Sequence, residues 1–189
     1  MTFEKRLGFL SARGKSARVF YREPHRRSAA PCGSLLAVSR LAVGNDDHPE
    51  AARKHLDDAR VLSEARRYDS AAYHAGYVVE CSLKAVLLHD RSYDSTTAAT
   101  DTAKLNLWAK TLSRKPFGHD LARLLAETVG PEGARYLPLL DAGASILDWT
   151  ETMRYWASGV VGDAKAQAFL SWAELAAQAV IQMTLDGVV

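Results

Sequence analysis

The stretch from Ala71 to His89 constrains this chain more than any other segment. It holds no proline and a single glycine, Gly76, and its apolar residues run around almost the whole circumference of a helix. At 3.6 residues per turn, Ala72, Val79, Leu83 and Val86 make one apolar line, and Ala71, Ala75, Val78, Ala85 and Leu88 make a second. Such a helix belongs in the middle of a bundle, because only neighbours on several sides remove that surface from water. Its polar exceptions, Tyr73, Tyr77, Glu80 and Lys84, fall at offsets of four, three and four, and so share one stripe. Glu80 and Lys84 stand in the favoured i, i+4 order for an ion pair.

The neighbours of this helix are legible by the same periodicity. Pro49 sits at a helix's first turn with Asp46 and Asp47 just upstream, and Ala52, Leu56, Ala59 and Leu62 form an apolar stripe that predicts a helix ending near Arg66. Asp69 and Ser70 are expected to cap the central helix. Residues 91–102 read as a Ser/Thr/Asp-rich loop, followed by a short helical stretch around Leu105, Leu107, Trp108 and Leu112. Leu121, Leu124, Leu125 and Val129 predict a helix from Asp120 to Val129, stopped by Gly130 and Pro131. A further helix is expected from Glu132 to Thr152 despite Pro138, and a long last one, capped by Asp163, carries Phe169, Trp172, Ala173, Ala176, Val180 and Met183 on one side. No stretch alternates over a strand's length, so the expected class is all-α, an up-and-down bundle of four to five helices.

The net charge of +2 hides an asymmetry. Residues 1–40 hold nine Lys or Arg against Glu4 and Glu23, a balance of +7, while the remainder, with fifteen basic and twenty acidic residues, carries −5. Pro24, Pro31, Gly8, Gly14 and Gly33 punctuate the basic part and it lacks an apolar period, so residues 1–45 read as a disordered segment preceding a bundle domain of residues 46–189. Removal of residues 1–44 is accordingly expected to leave folding intact. Clustered Lys and Arg also suit an arm touching nucleic acid or an anionic membrane, though few aromatics interleave them for base stacking, and an Arg-rich start suits a transit peptide as well. Cys32 and Cys81, far apart in sequence, form no disulfide framework and point to a reducing, cytoplasmic setting. No apolar run reaches the length of a membrane span, and no secretory signal pattern is present.

The segment from Arg67 to Leu88, with its Tyr73, His74, Gly76, Tyr77, Glu80 and Lys84, resembles the central helix of HEPN domains, the family named for nucleotide binding in higher eukaryotes and prokaryotes. The preceding Ala59-Arg-Val-Leu-Ser-Glu-Ala65 register, Gly118-His119-Asp120-Leu121 opening a later helix, and Arg154-Tyr155 late in the chain extend the resemblance over roughly residues 50–185. It implies a helical bundle that often pairs as a homodimer and is frequently encoded beside a small nucleotidyltransferase, in toxin–antitoxin-like pairs. Some members are RNA-cleaving toxins that carry Arg, four to six residues, then His on a late helix. There the Arg binds the scissile phosphate and the His acts in acid or base chemistry, tasks suited to a fixed cation and a group titrating near neutrality. This chain departs from that pattern: Arg154 is followed by Tyr155, Trp156 and Ala157, and no His occurs after His119. Two accidental spacings, Arg67 to His74 and Arg114 to His119, lie outside the usual place, and Pro116 and Gly118 interrupt the second.

No catalytic residue is therefore assigned. The six histidines show neither His-Glu-x-x-His nor paired His/Cys spacing, so no metal site is expected, and His74 and Cys81 read as a packed imidazole and a buried thiol. With no phosphate loop, nucleophile elbow or dinucleotide fingerprint, no cofactor is implied. The candidate ligand-binding residues are Tyr73, Tyr77, Glu80, Lys84, Arg154 and Tyr155. A Lys and an Arg in a mostly apolar groove beside tyrosines suit a nucleotide's phosphate and base, and the same residues also suit an ion-pair knot that registers the helices. Three readings follow: a non-catalytic nucleotide- or RNA-binding module, a divergent ribonuclease toxin, and a purely structural helical dimer. The apolarity of the central helix and the Trp-bearing last helix favour a homodimer.

Overall fold

The computed structural model describes residues 39–42, 46–91, 118–128, 133–136 and 145–189, all within the compact unit Ala37–Val189. The described residues form five α-helices: α1 (His48–Glu64), α2 (Tyr68–Asp90), α3 (Leu121–Glu127), α4 (Gly133–Tyr136) and α5 (Asp163–Leu185). Two 3₁₀ turns, Ser145–Asp148 and Glu151–Tyr155, precede α5. No strand occurs among the described residues, and the class is an all-α bundle.

α2 occupies the centre, packed on by α1, α3, α4, α5 and the second 3₁₀ turn. The reason is the one its composition dictates: Ala71, Ala72, Ala75, Val78, Val79, Leu83, Ala85, Val86, Leu87 and Leu88 are all buried, on every side of the helix. The apolar circumference is thus covered within one chain and does not itself require a second copy. α1 begins at Pro49's turn, with Asp47 accepting the Glu50 N–H at 3.2 Å, and buries Ala52, Leu56 and Ala59. It ends at Glu64 with Ala65 as C-cap, and Arg66 then takes a left-handed backbone (φ 57) and reverses the chain into α2. α5 runs alongside α2 in the same direction. Asp69 meets Gly159 and Val161 at one end, and at the other the His89 ring meets Tyr136, whose hydroxyl donates to Asp186.

Four expectations are revised. Asp69 and Ser70 do not cap α2: the N-cap is Arg67, without a side-chain bond, and the Asp69 carboxylate is occupied by the Gly159 and Val161 N–H groups. The helix expected from Glu132 to Thr152 is not continuous among the described residues, where α4 spans Gly133–Tyr136 and Ser145–Asp148 and Glu151–Tyr155 are 3₁₀ turns. Pro138, which lacks the N–H a continuing helix needs, lies in that interval, outside the described residues. Gly162, not Asp163, is the N-cap of α5. Finally, Leu41 is 1% exposed and joins the core, while Ser39 donates from both backbone N and Oγ to the Asp47 carboxylate at 3.0 Å. Deleting residues 1–44 would therefore remove a core side chain. The loop at 91–102 (beyond Arg91), the stretch around 105–112, the Val129–Pro131 stop and the basic residues of 1–38 lie outside the described residues.

Candidate functional site

The polar stripe of α2 divides into two parts. At its inner end Glu80 (2% exposed) and Lys84 (8%) are buried, and Lys84 Nζ donates to Glu80 Oε1 at 2.6 Å. The carboxylate's other oxygen faces His119, whose Nδ1 lies 2.7 Å from Oε2. His119 reaches it from the turn ahead of α3, where Gly118 has φ 40 and Asp120 caps the helix by accepting the Arg123 N–H. Both Glu80 oxygens thus receive a donor, the condition under which a buried carboxylate is tolerated. His48, in the first turn of α1, feels Lys84 as well. Burial first, and the ammonium second, push its imidazole down to about 4.

At its outer end the stripe becomes aromatic. Tyr77 is the hub: His55 stacks on it at 5.1 Å, and Tyr73, Trp149 and His119 meet it edge-on at 5.0, 5.0 and 5.8 Å. The Tyr73 hydroxyl donates to that of Tyr77 at 3.4 Å. Burial, then the Tyr73 hydroxyl, raises the Tyr77 phenol above its ordinary range. Trp149 enters from the segment after the first 3₁₀ turn, lies flat against Gly76 and donates its indole N–H to the Tyr73 carbonyl at 3.1 Å. A helical glycine, poor in propensity, is what gives the indole its room.

Arg154 stands beside this outer end, on the exposed 3₁₀ turn. Its guanidinium lies 4.7 Å over the ring of Tyr155, which is 75% exposed, and the Tyr73 side chain, then that of Tyr155, raises its pKa. Among the described residues it pairs with no carboxylate. Tyr73, where Arg154 sits, is eleven residues and so roughly 16 Å along the helix from Lys84. The structure therefore brings together Tyr73, Tyr77, Arg154 and Tyr155, and separately Glu80 and Lys84. It does not bring Arg154 and Lys84 into one groove.

Sequence reasoning missed the roles of four side chains. His119 enters the sequence reading only through the resemblance and an accidental Arg114 spacing, yet it is the third member of the Glu80–Lys84 group. Trp149 carried no motif. His55 and His74 approach one another across α1 and α2, Nδ1 to Nδ1, at 3.0 Å, with Asp58 Oδ2 3.8 Å from His74 Nδ1. Burial lowers both imidazoles from the usual histidine range. The signal available was His55 and Asp58 at i, i+3, one turn apart on the face that meets α2. Cys81 is a buried free thiol pushed up to about 12, mainly by burial, and so chemically quiet. No described helix is long and apolar enough to cross a membrane.

The family model of the HEPN domain matches residues 46–103, which take in α1, its turn and all of α2. Among curated proteins and solved structures, none matches.

Proposed function

We propose, from the premise that this chain carries a HEPN domain over residues 46–103, that it is a non-catalytic nucleotide- or RNA-binding module with its contact surface at Arg154, Tyr155 and Tyr73. One observation carries this reading: a guanidinium held over an exposed phenol and beside a second, with no carboxylate of the described residues to neutralise it. A planar cation with free donors suits a phosphate, and an exposed ring beside it suits a base. Tyr77, Glu80 and Lys84 act behind that surface as positioning residues. As elsewhere in its family, the module pairs as a homodimer in the cytoplasm and serves a small nucleotidyltransferase partner in a toxin–antitoxin-like pair. The exposed Tyr155, Trp156, Val160, Ile181 and Leu185 supply apolar surface for such contacts.

The test is fluorescence anisotropy with labelled nucleotides and a short single-stranded RNA, on wild type and on Arg154→Ala. The variant is expected to bind at least about tenfold more weakly while melting at the wild-type temperature, since an exposed charge-assisted contact is lost and no buried group is stranded. Absence of binding by the wild type, or equal binding by Arg154→Ala, refutes the assignment. The ribonuclease reading has one observation in its favour, the Glu80 carboxylate 2.7 Å from His119 Nδ1, an arrangement that orients an imidazole for acid or base work. RNA cleavage lost in His119→Ala would establish it in place of the binding module.

A further inference from the structure

The geometry points to a divalent metal site between α1 and α2, formed by His55 Nδ1, His74 Nδ1 and the Asp58 carboxylate, with zinc as the cation best matched to the donor set. The three ligand atoms lie within 4.8 Å of one another. Two imidazole nitrogens each about 2.0–2.1 Å from a tetrahedral zinc stand about 3.3 Å apart. Here His55 and His74 are already at 3.0 Å, so the cation fits with a separation of a few tenths of an ångström. Asp58 needs the larger adjustment, from 3.8 Å, and has the freedom to make it, its side chain being 58% exposed.

The rings are held by their surroundings. Tyr77 stacks on His55 (5.1 Å, 24° between planes) and Tyr73 meets His74 edge-on at 5.5 Å, so both imidazoles keep their Nδ1 atoms turned toward the same point. Without a cation, two facing Nδ1 atoms share one hydrogen. On binding, the donor ring moves its proton from Nδ1 to Nε2 and both lone pairs meet the metal, with no other reactant required. Two nitrogens and one carboxylate leave a fourth position, on the solvent side where Asp58 lies, for water or an anionic oxygen. Such a set is the open type found where zinc does chemistry, not the closed type of a structural site. Carbonyl- or water-preferring cations such as magnesium suit it poorly.

The experiment uses the full chain, stripped with chelator and titrated with zinc chloride against a chromogenic competitor, and needs no nucleotide. The expected result is one zinc per chain at micromolar affinity or tighter. His74→Ala and Asp58→Asn should each weaken it at least about tenfold with unchanged helical circular dichroism. Cobalt in place of zinc should give the visible absorption of a four- or five-coordinate site, abolished in His74→Ala. Wild-type binding weaker than about 100 μM, or equal binding by wild type and both variants, overturns the site, the latter by assigning the zinc to other histidines. Should His74→Ala fail to fold, Asp58→Asn decides, since it alters an exposed side chain. Unchanged affinity and cobalt spectrum in that variant overturn the proposal.

Discussion

Replacing Gly76 with alanine sets helix propensity against packing at a single atom. In an exposed helix interior the change is worth about 1 kcal/mol in favour of the helix. At this position a Cβ would overlap the Trp149 indole at Nε1, Cδ1 and Cε2, closer than real Cβ atoms approach anything. The indole is 4% exposed and tied to the Tyr73 carbonyl, so it cannot slide away without breaking that bond and opening the core. Overpacking of this kind costs about 1–3 kcal/mol, and the upper end applies where a rigid ring is the obstacle. The broken indole hydrogen bond adds about 1 kcal/mol. Against the propensity gain, the net expectation is a loss of about 2–3 kcal/mol, or about 5–10 °C in melting temperature for a domain of this size. The decisive assay is a double-mutant cycle by urea denaturation with Trp149→Ala. Once the ring is gone, Gly76→Ala should reverse sign and stabilise by about 0.5–1 kcal/mol. A Gly76→Ala protein as stable as wild type, or the same effect in both backgrounds, would show that the glycine does not serve the indole.

Three further outcomes are expected. His48 has a folded-state pKa of about 4 against an ordinary 6.5, so the unfolded chain takes up a proton that the folded one refuses. This contribution is present above pH 6.5 and lost as pH falls toward 4, about 3 kcal/mol in all, and His48→Asn should flatten the urea-stability profile over that window; an unchanged profile would refute it. Lys84→Met leaves the buried Glu80 with His119 as its remaining partner and should cost up to about 3–5 kcal/mol, whereas Glu80→Leu with Lys84→Met should recover much of that in the same denaturation assay; a double variant no better than the single would mean the pair is not the source of the loss. Trimming through residue 36 should leave the bundle's melting unchanged, while trimming through residue 44 removes the buried Leu41 and the Ser39 bonds to Asp47, for a loss of about 2–4 kcal/mol by calorimetry; equal melting of the two truncations would refute Leu41's part in the core.

Elements with strong local periodicity were legible in the sequence, and the contacts between them were not. α2 and the Glu80–Lys84 pair follow from spacing alone, because helical geometry fixes which residues share a face. The His55–His74 approach depends on the register of α1 against α2, and the Glu80–His119 contact on where α3 docks. Neither register is encoded by any local pattern. Asp69 shows the same limit from the other side. Its residue type and position are those of a cap, but the N–H groups it accepts come from residues 159 and 161. The segment from 132 to 152 misled because its apolar residues keep a helical period, while the described parts fold as separate short turns that place Trp149 and Met153 in the core. Arg154 was picked out through family resemblance, and only the folded chain associates it with Tyr73 and not with Lys84.

Asp69's hold on residues 159 and 161 bears on how a ligand would be met. Both bonds are 2.7 Å, and they keep the carboxyl below its ordinary range. The strand of chain bearing Arg154, Tyr155 and Trp156 is therefore anchored twice: before it by the buried Met153, after it by the buried Val161 and the Asp69 carboxylate. A short span fixed at both ends has given up most of its conformational entropy before any partner arrives, and recognition then proceeds with little ordering penalty. Speed and tightness of capture at Arg154 would thus be governed from the first turn of α2, by a residue that touches no ligand.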